Sequence, residues 1–240
     1  MRRLWFLLML MGLTAVSGCT LLPTESGIVP TATAVGDMIT FNIPAYSIAM
    51  KPGDSINGAP MRYLSHDRNV YMMELDGVPI EKRAGDSFDW QGLIAPGVFA
   101  NYNLRLTTTV LEELPVAGSV EYLIFNPEPH DTALPADRTG YLALDWIVAD
   151  YLAPVGREIP GTVIIYEGVA TQGQGNFTKP VAKLVSPLNT RHLSKGDSFT
   201  AISAVRDNVY IEYSLRVVSF DEDNLHLLGT ARLWVDPTPK

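Results

Sequence analysis

The chain is poor in the residues that staple or charge a small protein. It has one cysteine among 240 residues, which excludes an intrachain disulfide. Its 18 Lys and Arg face 26 Asp and Glu, and no basic patch stands out. That argues against a nucleic-acid partner. The four histidines, His66, His130, His192 and His226, do not sit at metal-ligand spacing with one another, with the cysteine or with carboxylates. Neither a metal nor a cofactor is expected. Long apolar runs are also scarce: Leu4 to Leu13 is the main one, and it is too short to span a bilayer as a mature helix. Convincing helical periodicity is missing throughout. Disorder is excluded from the other side, because charged residues are only 18% and apolar residues 47%.

What the chain has is a repeat. Shifted by 111, residues 85–118 align with 196–229 without a gap. Ten of 34 positions are identical: Gly85, Asp86, Ser87, Phe88, Val98, Tyr102, Leu104, Arg105, Leu114 and Gly118. Ordinary residue usage would give about two. A second, weaker match at a shift of 103 places Ile56, Gly58 and Tyr63 on Ile159, Gly161 and Tyr166. The difference of eight between the shifts predicts one longer loop in the second copy, at the polar, glycine-rich stretch 173–179.

Period-two patterning runs in the same phase through both copies. Val98, Ala100, Tyr102, Leu104 and Leu106 share one strand face, as do Val209, Ile211, Tyr213, Leu215 and Val217. The following strands present Leu114 to Ile124 and Leu225 to Val235 on alternate positions. For both faces to reach one core, paired residues 209–235 must sum to an even number. That predicts a loop of three or five residues around Asp221-Glu222-Asp223 and not a two-residue turn. Leu142, Leu144, Trp146 and Val148 also alternate, so 141–152 is read as a strand in preference to a short helix. With 19 glycines and 17 prolines punctuating short segments, the fold class is all-β: two tandem, internally repeated small β-sandwich or β-barrel modules. The expected organisation is a signal peptide at 1–18, a lipidated N-terminus and flexible tether at 19–35, a first module at 36–126, a linker at 127–140 and a second module at 141–236.

The N-terminus carries a resemblance. Met1-Arg2-Arg3, the apolar run, and Val16-Ser17-Gly18 ahead of Cys19 are similar to the lipobox signal of bacterial lipoprotein precursors. The resemblance covers residues 1–20 only. It implies cleavage before Cys19 and lipidation of that residue by a diacylglycerol, often with a further acyl chain. Two or more acyl chains anchor stably where one does not. Loss of residues 1–18 removes two arginines, leaving 16 bases against 26 acids and a net charge of −10. Thr20 stands where many inner-membrane lipoproteins of Gram-negative bacteria have Asp, so an outer membrane is favoured if the host has one.

Candidate chemistry is sparse. Gly-Asp-Ser occurs at 53–55, 85–87 and 196–198. GDSL-type esterases place their nucleophile in such a triplet, but here two copies enter equivalent strands, Phe follows in place of Leu, and the α/β scaffold that family needs is not expected. The triplets read as turns. Asp221-Glu222-Asp223-Asn224 lacks the pattern of a calcium loop and reads as a solvated hairpin tip. Asn176-Phe177-Thr178 is a sequon without consequence in a bacterial envelope. Arg105 and Arg216, identical between the copies and opposite the core face, are expected to pair with carboxylates or to line a binding surface. Trp90 and Trp146 are the aromatic candidates for such a surface. No catalytic set is assembled, so the expected function is a non-enzymatic, membrane-anchored envelope module binding a protein or glycan partner. The alternative is a surface hydrolase or carbohydrate-binding protein using a cleft between the modules.

Overall fold

The computed structural model describes residues 38–110, 112–174 and 177–238. The signal peptide, Cys19, the tether and Asn176 lie outside the described residues. The described chain is all strand and turn. No helix in it is long and apolar enough to cross a membrane.

The first copy opens with β1 (Met38–Met50) and then forms a three-stranded meander, β2 (Met61–Asp67), β3 (Val70–Leu75) and β4 (Val78–Arg83). It continues with β5 (Trp90–Ala95), β6 (Val98–Leu106) and β7 (Leu114–Phe125), which join β1 in a four-stranded antiparallel sheet of order β1-β7-β6-β5. After a two-residue strand β8 (His130–Asp131), the same plan repeats. A three-stranded sheet holds β10 (Ile165–Gln174), β11 (Phe177–Val185) and β12 (Thr190–Leu193). A larger sheet has the order β8-β13-β14-β15-β9, with β9 at Leu142–Pro154, β13 at Ser198–Arg206, β14 at Val209–Phe220 and β15 at Asn224–Val235.

The copies share backbone hydrogen bonds at matching positions. Gly53 N donates to Tyr63 O at 2.7 Å, and Gly156 N to Tyr166 O at 2.7 Å. Ile56 N reaches Met61 O at 2.9 Å, and Ile159 N reaches Ile164 O at 2.8 Å. These pairs obey the shift of 103. Tyr102 Oη donates to Asn57 O at 2.7 Å, and Tyr213 Oη to Pro160 O at 2.8 Å. Each buried tyrosine therefore ties an interior strand of its sheet, β6 or β14, to the loop after β1 or β9, linking the two blocks of the repeat.

The three Gly-Asp-Ser segments are turns. Gly53, Gly85 and Gly196 take left-handed φ values of 97°, 90° and 91°, which glycine adopts without a Cβ penalty. The following aspartate closes each turn: Asp54, Asp86 and Asp197 accept from the backbone N–H of Lys51, Arg83 and Ser194 at 2.8, 2.7 and 2.7 Å.

The strand faces of β6, β7, β14 and β15 are buried as expected from period two. The β14–β15 register is even, with Tyr213 opposite Ala231 and Leu215 opposite Gly229. Three residues, 221–223, separate the strands, but the parity has a different source from the one expected. Asp221 N donates to Asn224 O at 2.9 Å, so the tip is closed as a two-residue turn. A bulge between Val217 and Ser219 then restores the even register. Asp221 Oδ1 caps this tip by accepting from the N–H of Asp223 and Asn224.

Three further expectations change. Residues 173–174 and 177–179 are strand, not loop: the second copy is longer mainly because β10 and β11 have 10 and 9 residues against 7 and 6 in β2 and β3. The 127–140 segment does more than link, because β8 pairs with Ser203 and Ala204 of β13. The alternation through Leu142, Leu144, Trp146 and Val148 does not hold on one face. Leu144 is buried, but a bulge then reverses the phase, so that Ile147, Ala149, Tyr151 and Ala153 are buried and Trp146 is exposed.

One apolar cluster runs through both copies. At their junction Asn57 Nδ2 donates to Ala143 O at 2.8 Å, Asn208 Nδ2 to Pro96 O at 3.1 Å and Arg206 Nη1 to Phe125 O at 2.7 Å. Gly58 lies under Leu142, and Gly161 lies near Phe41.

Candidate functional site

The bulge in β9 defines the most distinctive surface. Ala231 pairs with Ile147 and Leu233 with Leu144, so Asp145 and Trp146 both stand opposite Arg232. Trp146 absorbs the extra residue with φ 64°. A left-handed non-glycine residue costs about 1–3 kcal/mol, and such strain persists only where surrounding structure enforces it. A bulge also re-aims a side chain. Here it turns an indole out of the core, leaving it 78% exposed.

The surroundings of Trp146 are polar and held in place. The Asp145 carboxylate accepts from Arg232 Nε. The Arg232 guanidinium lies 5.3 Å from the Trp234 ring centroid, and Arg138 lies 4.7 Å from the same ring. Trp234 Nε1 points to Glu212 Oε2 at 3.5 Å. The exposed ion pair adds little stability, but together with the cation–π contacts it restricts where Arg232 can sit. Register then lays Thr200 beside Ser214 and Ser214 beside Thr230, giving three exposed small hydroxyl side chains in one row. Trp146, Arg232, Glu212 and this row border a recess of about 290 Å³.

The first copy has the same sheet but a different site. The positions matching Thr200, Ser214 and Thr230 carry Asp89, Asn103 and Ser119; opposite Glu121, the match of Arg232, stands the single residue Asn42, and the β1 bulge, Pro44-Ala45, falls opposite Ser119 instead. No tryptophan is presented there.

Of the residues singled out from sequence, only Trp146 and Arg216 share this face. Arg216 borders the hydroxyl row beside Ser214, and its Nε donates to Gly196 O at 3.0 Å. Its partner is thus the turn carbonyl and not a carboxylate. Arg105, exposed in the first copy, lies opposite Ser87 and Ala117. Trp90 is half-buried: its ring lies over Gly92 and 6.1 Å from the buried Tyr102 ring, and it borders an open recess of about 750 Å³ with Asn57, Gly58 and Leu93. Asp145, Glu212 and Arg232 were not singled out, because the bulge that gathers them leaves no local sequence signature.

The buried tyrosines are scaffold. Tyr213 Oη and Tyr151 Oη lie 2.8 Å apart, and Tyr102 Oη and Tyr122 Oη 3.3 Å apart. Burial pushes the phenol pKa of all four upward, and the neighbouring phenol adds to the rise for Tyr122 and Tyr213. Tyr166, which donates to the Asp221 carbonyl, is raised to about 12 by burial and by the nearby Asp221 and Glu222 charges. Among the described residues no group of three or more His, Cys, Asp or Glu is placed to hold a metal ion. His226 Nε2 instead meets Asp150 Oδ1 at 2.7 Å, and His66 Nδ1 meets Tyr63 Oη at 2.6 Å. A second recess of about 320 Å³ lies at the open edge of β13, bordered by Asp131, Ile164, Leu188 and Ile202.

Comparison with protein-family models, with curated proteins and with solved structures returned no match for this chain.

Proposed function

We propose that this chain is a bacterial envelope lipoprotein, held at the membrane by acyl chains on Cys19, and that it acts as a non-catalytic binding module. The lipobox-like N-terminus supports the anchor. The observation that carries the binding role is the strained, outward-facing Trp146 on a rigid, polar sheet face. A side chain held outward at a backbone cost is the pattern of a site formed before its ligand arrives. The outer membrane is the favoured destination if the host has one.

The alternative of a hydrolase or carbohydrate-binding cleft between the copies has less behind it. The junction is occupied by Asn57, Asn208 and Arg206 bonded to backbone carbonyls, and by close contacts of Gly58 and Gly161 with apolar side chains across it. The recess beside Trp146 and the one at the β13 edge lie on the second copy's own surface.

The test is expression of the full chain and of Cys19→Ser in a bacterium with a lipoprotein pathway, fed labelled palmitate. The parent chain is expected to take up label and to fractionate with membranes, and Cys19→Ser to do neither. Label retained by the variant would sink the anchoring argument. Envelope extract passed over the parent and Trp146→Ala chains tests the binding face, which predicts capture by the parent alone.

A further inference from the structure

We propose that the Trp146 face binds the ring of a neutral sugar. This deepens the binding role proposed above and rests on the same face. A pyranose offers one plane of C–H groups edged all round by hydroxyls. It therefore needs an apolar plate with donors and acceptors fixed around its rim. The indole of Trp146 supplies the plate, 78% exposed and set by the β9 bulge. Arg232 supplies N–H donors, Asp145 and Glu212 supply carboxylate acceptors, and Thr200, Ser214 and Thr230 can each give and take a hydrogen bond.

The polarity of the rim decides between ligand classes. A protein hot spot gathers its aromatic anchors in a packed, desolvated pocket. Here the indole is bordered by hydroxyls and charges, so an apolar partner side chain would strand them without water. A polyol satisfies them. The charge balance sets the second choice. Arg232 is already paired with Asp145, and Glu212 shares its strand face with Arg216 at the end of the hydroxyl row, so the rim is close to neutral. A neutral rim gives an anionic glycan no net attraction, and an acidic chain adds none. The recess of about 290 Å³ is at the lower limit of ligand pockets, which suits a ring or two of a longer chain. In the first copy the residue matching Arg232 is Glu121, which pairs regularly with Asn42, so no residue is inserted there and the site is confined to the second copy.

The experiment uses the full chain in detergent micelles and an array of neutral oligosaccharides built on glucose, mannose and N-acetylglucosamine, with sulfated oligosaccharides as the anionic comparison. Binding is followed by saturation-transfer NMR and calorimetry. At least one neutral oligosaccharide is expected to bind and the sulfated set to bind more weakly. Trp146→Ala should weaken binding at least tenfold, Trp146→Tyr less, and Leu93→Ala, an exposed side chain of the first copy, not at all. Trp146→Gly separates site from scaffold. Glycine relieves the left-handed backbone, so this variant should melt at a higher temperature than the parent while losing the sugar.

Failure of every neutral glycan, stronger binding of the sulfated set, or binding that survives Trp146→Ala would overturn the proposal. So would Trp146-dependent capture of an envelope protein that neutral oligosaccharides do not displace. The measurement needs neither acyl chains nor a membrane, and Cys19→Ser should bind sugar like the parent. A failure of anchoring and a failure of sugar binding are therefore read separately.

Discussion

Replacing Gly118 or Gly229 with alanine should be among the most damaging small changes in this chain, and equally so in both copies. Neither glycine is needed for a left-handed turn. Each sits mid-strand, opposite Leu104 and Leu215 respectively. A Cβ built on Gly118 falls 2.0 Å from Asn103 O, and one on Gly229 falls 2.0 Å from Ser214 O. That is roughly 1.4 Å inside ordinary contact, and the obstacle is backbone that cannot rotate away. Neighbouring strands lie only about 4.8 Å apart, so the displacement breaks the ladder locally. Overpacking costs about 1–3 kcal/mol, and two weakened hydrogen bonds add about 1 kcal/mol each, giving about 3–5 kcal/mol per variant. This is a large part of the roughly 5–15 kcal/mol that holds a typical domain. Gly140 is the control. Its φ is 87°, but a Cβ there meets nothing within 4 Å, so Gly140→Ala should cost only about 1–2 kcal/mol for the backbone. Urea unfolding of the three variants provides the comparison. Gly118→Ala or Gly229→Ala behaving as mildly as Gly140→Ala would refute the close approach, and a severe effect in one copy alone would refute their equivalence.

Two other predictions concern the scaffold. The buried phenols of Tyr102, Tyr122, Tyr151 and Tyr213 have folded pKa values above their ordinary 10.0, so the native state holds its protons more tightly than the unfolded chain. Their contribution is complete below pH 10 and is lost as pH rises through the folded values, so denaturant midpoints should fall steeply above pH 10. Tyrosinate absorbance should appear together with unfolding, and full phenol ionisation in a chain that stays folded would contradict it. Asp54→Ala, Asp86→Ala and Asp197→Ala each remove a turn-closing acceptor and should each cost about 1 kcal/mol, adding in the triple variant because each bond closes its own turn and no partner is shared. Thermal melts within error of the parent would show those bonds to be incidental.

The regular parts of the fold were legible because period two and duplication are both written in the sequence. The β6 and β14 faces follow directly from Val98, Tyr102 and Leu106 and from their counterparts. Even the weak match of Ile56, Gly58 and Tyr63 to the second copy corresponds to shared hydrogen bonds. What escaped is where the period slips. Leu142, Leu144, Trp146 and Val148 look like one uninterrupted face, but the chain inserts a residue after Leu144 and continues inside with Ile147. Both phases offer apolar residues to the core, so sequence alone has no means of choosing the position of the bulge. The tip at 221–224 shows the same limit: parity of the register is dictated by the core, but a longer loop and a short turn with a bulge satisfy it equally. The pairing of β8 with β13 was hidden because two residues carry no periodicity.

The two copies also act as an internal control on what a shared residue means. Arg105 and Arg216 drew attention because they are identical, yet Arg216 serves the turn at Gly196. Tyr102 and Tyr213 are identical because each ties its sheet to the loop after the first strand. Gly118 and Gly229 are identical because two strands approach too closely for a side chain. Identity across the duplication therefore follows the scaffold, which both copies must build in the same way. A function specific to one copy has to lie where they differ under the same backbone plan. Asp145-Trp146 meets that condition: the first copy keeps regular pairing there, with Asn42 opposite Glu121, whereas the second inserts a residue opposite Arg232 and places an aromatic plate beside an ordered arginine. Replacing Asp145-Trp146 with a single asparagine, as the first copy has opposite Glu121, would test this reasoning, because the sheet should keep Leu144 and Ile147 inside while binding is lost.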